Sequence, residues 1–125
     1  MIRLSKEKVQ CLHEMMARET GGSIGIREES LLESALEAAF ATFDGQELYP
    51  TTEEKGARLG YNLISNHPFL DGNKRIGIFV MLIFLEVNGI RLDCTNEDVA
   101  ALGWAVASGN RNYDALLAWV QKHHI

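Results

Sequence analysis

The chain is poor in the residues that mark several protein classes. It has two cysteines, Cys11 and Cys94, in 125 residues. Two thiols outside any CxxC spacing make neither a disulfide framework nor a dithiol redox site; the expectation is a reduced pair, buried as small apolar groups. Its two prolines, Pro50 and Pro68, and its lack of any low-complexity run or internal repeat argue against a linker-rich or repeat architecture. The longest apolar stretch, Ile76 to Leu85, covers ten positions. A membrane span needs about twice that, so the stretch reads as a buried core helix. No secretory pattern precedes the first charged helix, and a cytoplasmic protein is expected. Basic residues are also scarce, 12 against 17 acidic ones, for a net charge of -5. Direct DNA binding is therefore not expected.

The acidity is uneven. From Glu28 to Glu54 there are eight acidic residues and no basic one. A solvated helix face accounts for this; the alternative is a docking surface for a basic partner segment. Length and a 46% hydrophobic composition predict one compact domain over residues 1–125. A two-lobed kinase, a TIM barrel and a full doubly wound nucleotide fold are too large for it.

The periodicity is helical almost throughout. Ser5 caps a first helix with Val9, Leu12, Met15 and Met16 on one side, ending at Gly21-Gly22. The segment Gly25-Ile26-Arg27 reads as a turn. A second helix runs from about Glu29 to Phe40, with Leu31, Leu32, Ala35, Leu36 and Ala39 inward. Asp44-Gly45 suits a tight hairpin in the Ala41–Pro50 gap. Thr51 with Glu54 is a capping box for a third helix, which Pro68 stops at His67. A fourth helix starts near Gly72 or Asn73 and ends at Asn88-Gly89; it is apolar nearly all round and should be central. Thr95 with Asp98 caps a fifth, ending near Gly109, and Asn112 a sixth. The expected fold is an all-α bundle of about six helices around a central hydrophobic helix, with a small β-hairpin flap. Trp104 and Trp119 are expected to pack on each other or on the central helix. His13 reads as a boundary histidine, and His123 and His124 as exposed.

Packing does not explain the segment His67-Pro68-Phe69-Leu70-Asp71-Gly72-Asn73-Lys74-Arg75. It carries polar and special residues straight into the most hydrophobic helix. A helix N-terminus offers unpaired N–H groups and partial positive charge to an anion. Gly72 allows a tight turn and a close oxygen approach. The amides of Gly72, Asn73, Lys74 and Arg75 can cradle a phosphate, with Lys74 and Arg75 adding full charges. Asp71 supplies a hard oxygen for Mg²⁺, and also suits an N-cap. His67 is the residue type best suited to take a proton from a hydroxyl nucleophile. Phe69 is expected to point inward as an anchor. Arg27 either pairs with neighbouring acids or reaches the site, Asn66 is a candidate for orienting the loop, and Tyr49 serves either packing or a nucleotide base. Together these are the parts of a phosphoryl-transfer site.

HPFLDGNKR resembles the signature of the Fic/Doc superfamily, His-x-Phe-x-(Asp/Glu/Asn)-(Gly/Ala)-Asn-(Gly/Lys)-Arg. Lys74, together with Ile78 where the Fic branch carries a second arginine, is similar to the death-on-curing (Doc) toxin branch. Gly72 stands where the founding toxin type has alanine and is a Fic-like element. The resemblance extends from the first helix to the last ones. It implies His67 as general base, Asp71 as Mg²⁺ ligand, Asn73 as phosphate- or loop-orienting, and Lys74 and Arg75 as catalytic and phosphate-binding residues. It implies ATP as co-substrate with Mg²⁺, and a toxin that moves the γ-phosphate to a threonine of elongation factor Tu, blocking translation. The alternatives are AMP transfer to a protein hydroxyl and a catalytically silent module that assembles with an antitoxin. Near neither terminus is there a convincing Ser/Thr-x-x-x-Glu helix of the kind that restrains Fic enzymes. Restraint is then expected from a cognate antitoxin whose C-terminal segment folds onto this domain.

Overall fold

The structure is a computed structural model that describes residues 1–109 and 112–125. Six helices are formed by the described residues: α1 (Lys6–Thr20), α2 (Glu29–Ala38), α3 (Thr52–Asn66), α4 (Asn73–Val87), α5 (Asn96–Ala107) and α6 (Tyr113–His123). Strands β1 (Thr42–Phe43) and β2 (Gln46–Glu47) pair antiparallel, with Thr42 opposite Glu47. Asp44 and Gly45 both take positive φ, 53° and 76°, as a two-residue hairpin turn requires.

Local chemistry explains where the helices start. The Ser5 hydroxyl accepts from Lys8 N–H, and the Asn112 carboxamide oxygen from Ala115 N–H. Thr51–Glu54 and Thr95–Asp98 are complete capping boxes, in which each side chain bonds the other residue's backbone N–H. The Thr95 N–H bond is the main reason the Asp98 carboxyl sits below its ordinary pKa.

Leu32, Ala35, Leu63, Ile76, Val80, Met81, Phe84, Leu85, Leu116 and Val120 are fully buried. They form one core. α4 is the apolar helix at its centre and packs on α1, α3 and α5. α3 holds an equally inner place, touching α2, α4 and α6. The α3–α4 crossing is close because it uses glycines. A Cβ on Gly77 would lie 2.8 Å from the Gly60 carbonyl and 2.7 Å from Ile64 Cγ1. Arg58 ties α3 to its surroundings, its guanidinium lying 5.0 Å from the Tyr49 ring and 5.1 Å from those of Tyr61 and Tyr113. Tyr49 also meets Tyr113 edge-on at 5.5 Å, so this tyrosine serves packing. Burial pushes the Tyr113 hydroxyl up to about 12, with the Glu54 charge acting the same way.

Several expectations are corrected. Trp104 is 78% exposed, whereas Trp119 is buried and meets the His123 ring at 4.3 Å with the planes tilted by 34°. His123 is half-buried, its Nδ1–H donating to the Trp119 carbonyl. Both cysteines are free, but Cys11 is exposed and Cys94 half-buried, so neither is a core group. The 25–27 segment is not a plain turn: Ile26 forms an antiparallel bridge with Phe69. Among the described residues no helix is long and apolar enough to cross a membrane.

Candidate active site

The site is built where α3 ends and α4 begins. His67 closes α3 in the left-handed region, φ 56°, with its N–H on the Leu63 carbonyl at 3.3 Å. That conformation is uncommon for a residue with a side chain. The segment before α2 holds it. Arg27 Nε donates to the His67 carbonyl at 2.8 Å, and another guanidinium nitrogen of Arg27 donates to the Asn66 carbonyl at 3.1 Å. A cation at a helix C-terminus pairs with the negative end of its dipole as well. Backbone bonds complete the clamp: Arg27 and Glu28 N–H reach the Pro68 carbonyl, and Leu70 N–H reaches that of Gly25. The Asn66 side chain turns to the Leu31 carbonyl, joining α3 to α2.

Asn73, 3% exposed, is the hub. Its Oδ1 accepts from Phe69 N–H at 2.9 Å, and its Nδ2 donates to the Phe69 carbonyl at 3.0 Å. These two bonds settle the amide's orientation. The remaining Nδ2 hydrogen then faces His67 Nδ1 at 3.0 Å. Nδ1 is the acceptor, so the neutral His67 ring carries its proton on Nε2.

Phe69 points inward as expected and is 1% exposed. It stacks flat on His13, centroids 3.9 Å apart and planes at 4°. His13 is buried, not a boundary residue, and its Nε2 lies 2.7 Å from the Asp71 carbonyl. A carbonyl only accepts, so Nε2 carries a proton. This contact was missed in sequence, although His13 falls at helical spacing between Val9 and Ala17, the other two buried residues of α1.

Asp71 is exposed and does not cap α4; that position belongs to Gly72, φ 76°, which has no capping side chain. The Asp71 carboxylate instead accepts from Gly72 N–H at 2.9 Å and from Ser23 N–H at 3.3 Å. The loop after α1 thus faces it, so closely that a Cβ on Gly22 would lie 3.0 Å from Asp71 Oδ2. Lys74 and Arg75 are both exposed and lie along a groove between α1, α4 and α5. Lys74 Nζ reaches the Ala107 carbonyl at 3.2 Å, at the last residue of α5, and so turns away from the loop. Neither cation meets a carboxylate among the described residues.

Chemically this is a base candidate, a carboxylate and two cations that meet no carboxylate among the described residues, around one helix start. His67, Asp71, Gly72 and Asn73 are brought together; Lys74 and Arg75 border them. Among the described residues no group of three or more His, Cys, Asp and Glu side chains is gathered. The donor set fits a Mg²⁺ shared between one carboxylate and substrate phosphates, the usual arrangement for that ion, and not an all-protein cage.

Comparison with known proteins agrees on the lineage. A family profile described as "Fic/DOC family" matches residues 3–85, from before α1 to near the end of α4. A curated relative, Toxin Doc of Mycolicibacterium smegmatis, is 38% identical over 72 residues, which is 58% of this chain and 55% of that protein. The chain thus spans about half the length of the curated relative it matches.

Proposed function

The chain belongs to the Fic/DOC family, and on that premise we propose that it is the toxin of a toxin–antitoxin pair. In this reading it transfers the γ-phosphate of ATP to a threonine or serine hydroxyl of a protein, elongation factor Tu being the expected target. The observation that carries the reading is the His67–Asn73 contact at 3.0 Å, which sets a histidine against the first residue of a helix whose next two side chains are Lys74 and Arg75.

The chemistry divides among these residues. The hydroxyl oxygen attacks the γ-phosphorus, the bond to the β-phosphate oxygen breaks, and ADP leaves. His67 receives the hydroxyl proton. A base needs a lone pair, and the neutral ring holds its lone pair at Nδ1. The hydroxyl therefore takes the place of the Asn73 amide there, or the ring turns over. The α4 amides hold phosphoryl oxygens, and Lys74 and Arg75 offset their charge. Asp71 would hold the Mg²⁺, whose role when bound is to neutralise charge on the phosphates. Lys74 supports γ- over AMP transfer: a long cation in the cradle fills space and shifts the favoured phosphate position. Gly72 is the feature that favours AMP transfer.

Labelled ATP separates the readings. Incubated with elongation factor Tu, the protein should pass label from γ-labelled ATP and none from α-labelled ATP, and chelation of Mg²⁺ should stop it. Label from the α position would replace the reading with AMP transfer. Failure to bind Mg²⁺–nucleotide would leave the silent module.

The restraining partner has a surface to fit. The groove beside Lys74 and Arg75 encloses about 520 Å³ and is otherwise mostly apolar, with Met16, Ile78, Phe79, Leu82 and Val99. Its occupant, in this reading, is the antitoxin's C-terminal segment, an amphipathic helix with an acidic residue at the cationic end. A Cβ on Gly103, which also lines the groove, meets nothing within 4 Å. Gly103→Phe should fill the groove and leave the enzyme active but no longer inhibited by the small protein encoded beside it. Undiminished inhibition would place that partner elsewhere.

A further inference from the structure

The buried histidine of α1 has no part in the chemistry above, yet it touches the loop that does. His13 is 2% exposed and sits between two parts of the loop. Its ring lies flat on Phe69 and its Nε2–H donates to the Asp71 carbonyl at 2.7 Å. The same residues are tight on a third side. A Cβ on Gly72 would stand 3.1 Å from the Met16 methyl and 3.7 Å from His13 Nε2. Asp71 is thereby held at both ends by α1 and its following loop, the carbonyl by His13 and the carboxylate by Ser23 N–H.

We propose that His13 is a positioning residue of the phosphoryl-transfer site, fixing Asp71 and the first amides of α4 through its bond to the Asp71 carbonyl. The Asp71–Gly72 peptide leads into a glycine in the left-handed region, whose φ no side chain restricts. Its N–H bonds the Asp71 carboxylate, which moves with it, so a group from another element has to fix the carbonyl. A buried ring N–H does so, and the stack on Phe69 stops the ring from turning. Releasing the carbonyl lets the peptide swing, which moves the carboxylate and the Gly72 N–H together. Groups that orient a metal ligand in this manner typically matter by 10–100-fold in metal affinity.

The proposal rests on the reading of Asp71 as a Mg²⁺ ligand, and the test separates the two. His13→Phe keeps a flat ring on Phe69 but removes the donor. His13→Gln removes the ring but returns an N–H near the place of Nε2. Mg²⁺–ATP binding by calorimetry should weaken by roughly 10–100-fold in His13→Phe and recover most of that in His13→Gln. Amide hydrogen exchange should quicken over residues 69–75 in His13→Phe, with the rest of α4 unchanged. Equal losses in both variants, or wild-type binding and exchange in His13→Phe, would overturn the proposal. Should His13→Phe fail to fold, a His13→Gln protein that folds yet binds as weakly as an Asp71→Ala control would overturn it too, and near-wild-type binding would support it. If the wild type itself binds no Mg²⁺–ATP, the reading of the site fails, and the exchange comparison still decides whether His13 holds the loop.

Discussion

Replacing His67 with alanine should lower phosphate transfer by about 10²- to 10⁴-fold, the usual contribution of a positioned acid or base. The fold should survive. His67 is exposed, and the bonds that hold its backbone, from Arg27 Nε to its carbonyl and from its own N–H to the Leu63 carbonyl, need no imidazole. Alanine in the left-handed region costs about 1–3 kcal/mol, a strain that histidine already bears there. His67→Asn is the companion variant, since asparagine tolerates that region better. Both should lose transfer and keep the wild-type circular dichroism spectrum. Full activity in either would remove His67 from the role of base.

The second large effect concerns the crossing that carries the site. Gly77→Val should destabilise the protein by about 2–3 kcal/mol, because overpacking a close contact forces backbone shifts. Here a Cβ would meet Ile64 Cγ1 at 2.7 Å and the Gly60 carbonyl at 2.8 Å, and a carbonyl in a helix cannot swing aside as a side chain can. At roughly 4 °C per kcal/mol for a domain of this size, the melting temperature should fall by about 8–12 °C. Gly103→Ala is the opposite case on α5. Its new Cβ meets nothing, so the helix-propensity gain of up to about 1 kcal/mol should appear as stabilisation. Equal melting temperatures for the Gly77 variant and the wild type would mean that α3 and α4 separate more readily than their packing suggests.

These two glycines also show where sequence reading stops. What is local was readable: Ser5, Thr51, Thr95 and Asn112 cap the helices they were expected to cap, because each cap involves a hydrogen bond within three residues. Asp44-Gly45 makes its hairpin for the same reason. The HPFLDGNKR segment stood out because its residue types conflict with a core helix entrance. What depends on a distant partner was not readable. Position 77 looks like any glycine in an apolar run until α3 is laid against it. His13 looked like a boundary residue because its neighbours, a phenylalanine ring and a loop carbonyl, come from 56 and 58 positions away. Arg27 could be placed among acids or at the site; it reaches the site through the backbone, holding the end of α3 at Asn66 and His67. Trp104 shows the converse error. A large aromatic in a helix was assigned to the core, yet it stands 78% exposed next to Gly103, a residue of the groove beside Lys74.

Lys74 connects these points to function. The first turn of α4 puts it at the cradle in sequence, but its ammonium is drawn to the Ala107 carbonyl at the C-terminal end of α5. Such an end carries partial negative charge, a favourable place for a lysine when no phosphate competes. Phosphate transfer would draw it back, since a full anionic charge outweighs a single carbonyl dipole. Among the described residues Arg75 meets no such competing acceptor, and it lies between the groove and the small space that Asp71, Gly22 and His13 share.

On the proposed reading this helix start moves a phosphate and not a nucleotide. The intact mass of elongation factor Tu after incubation with the protein, ATP and Mg²⁺ tests it most directly. A gain of one phosphate, absent with His67→Ala, is the expected result. A gain of one AMP, or an unchanged mass with a folded and nucleotide-bound protein, would contradict it.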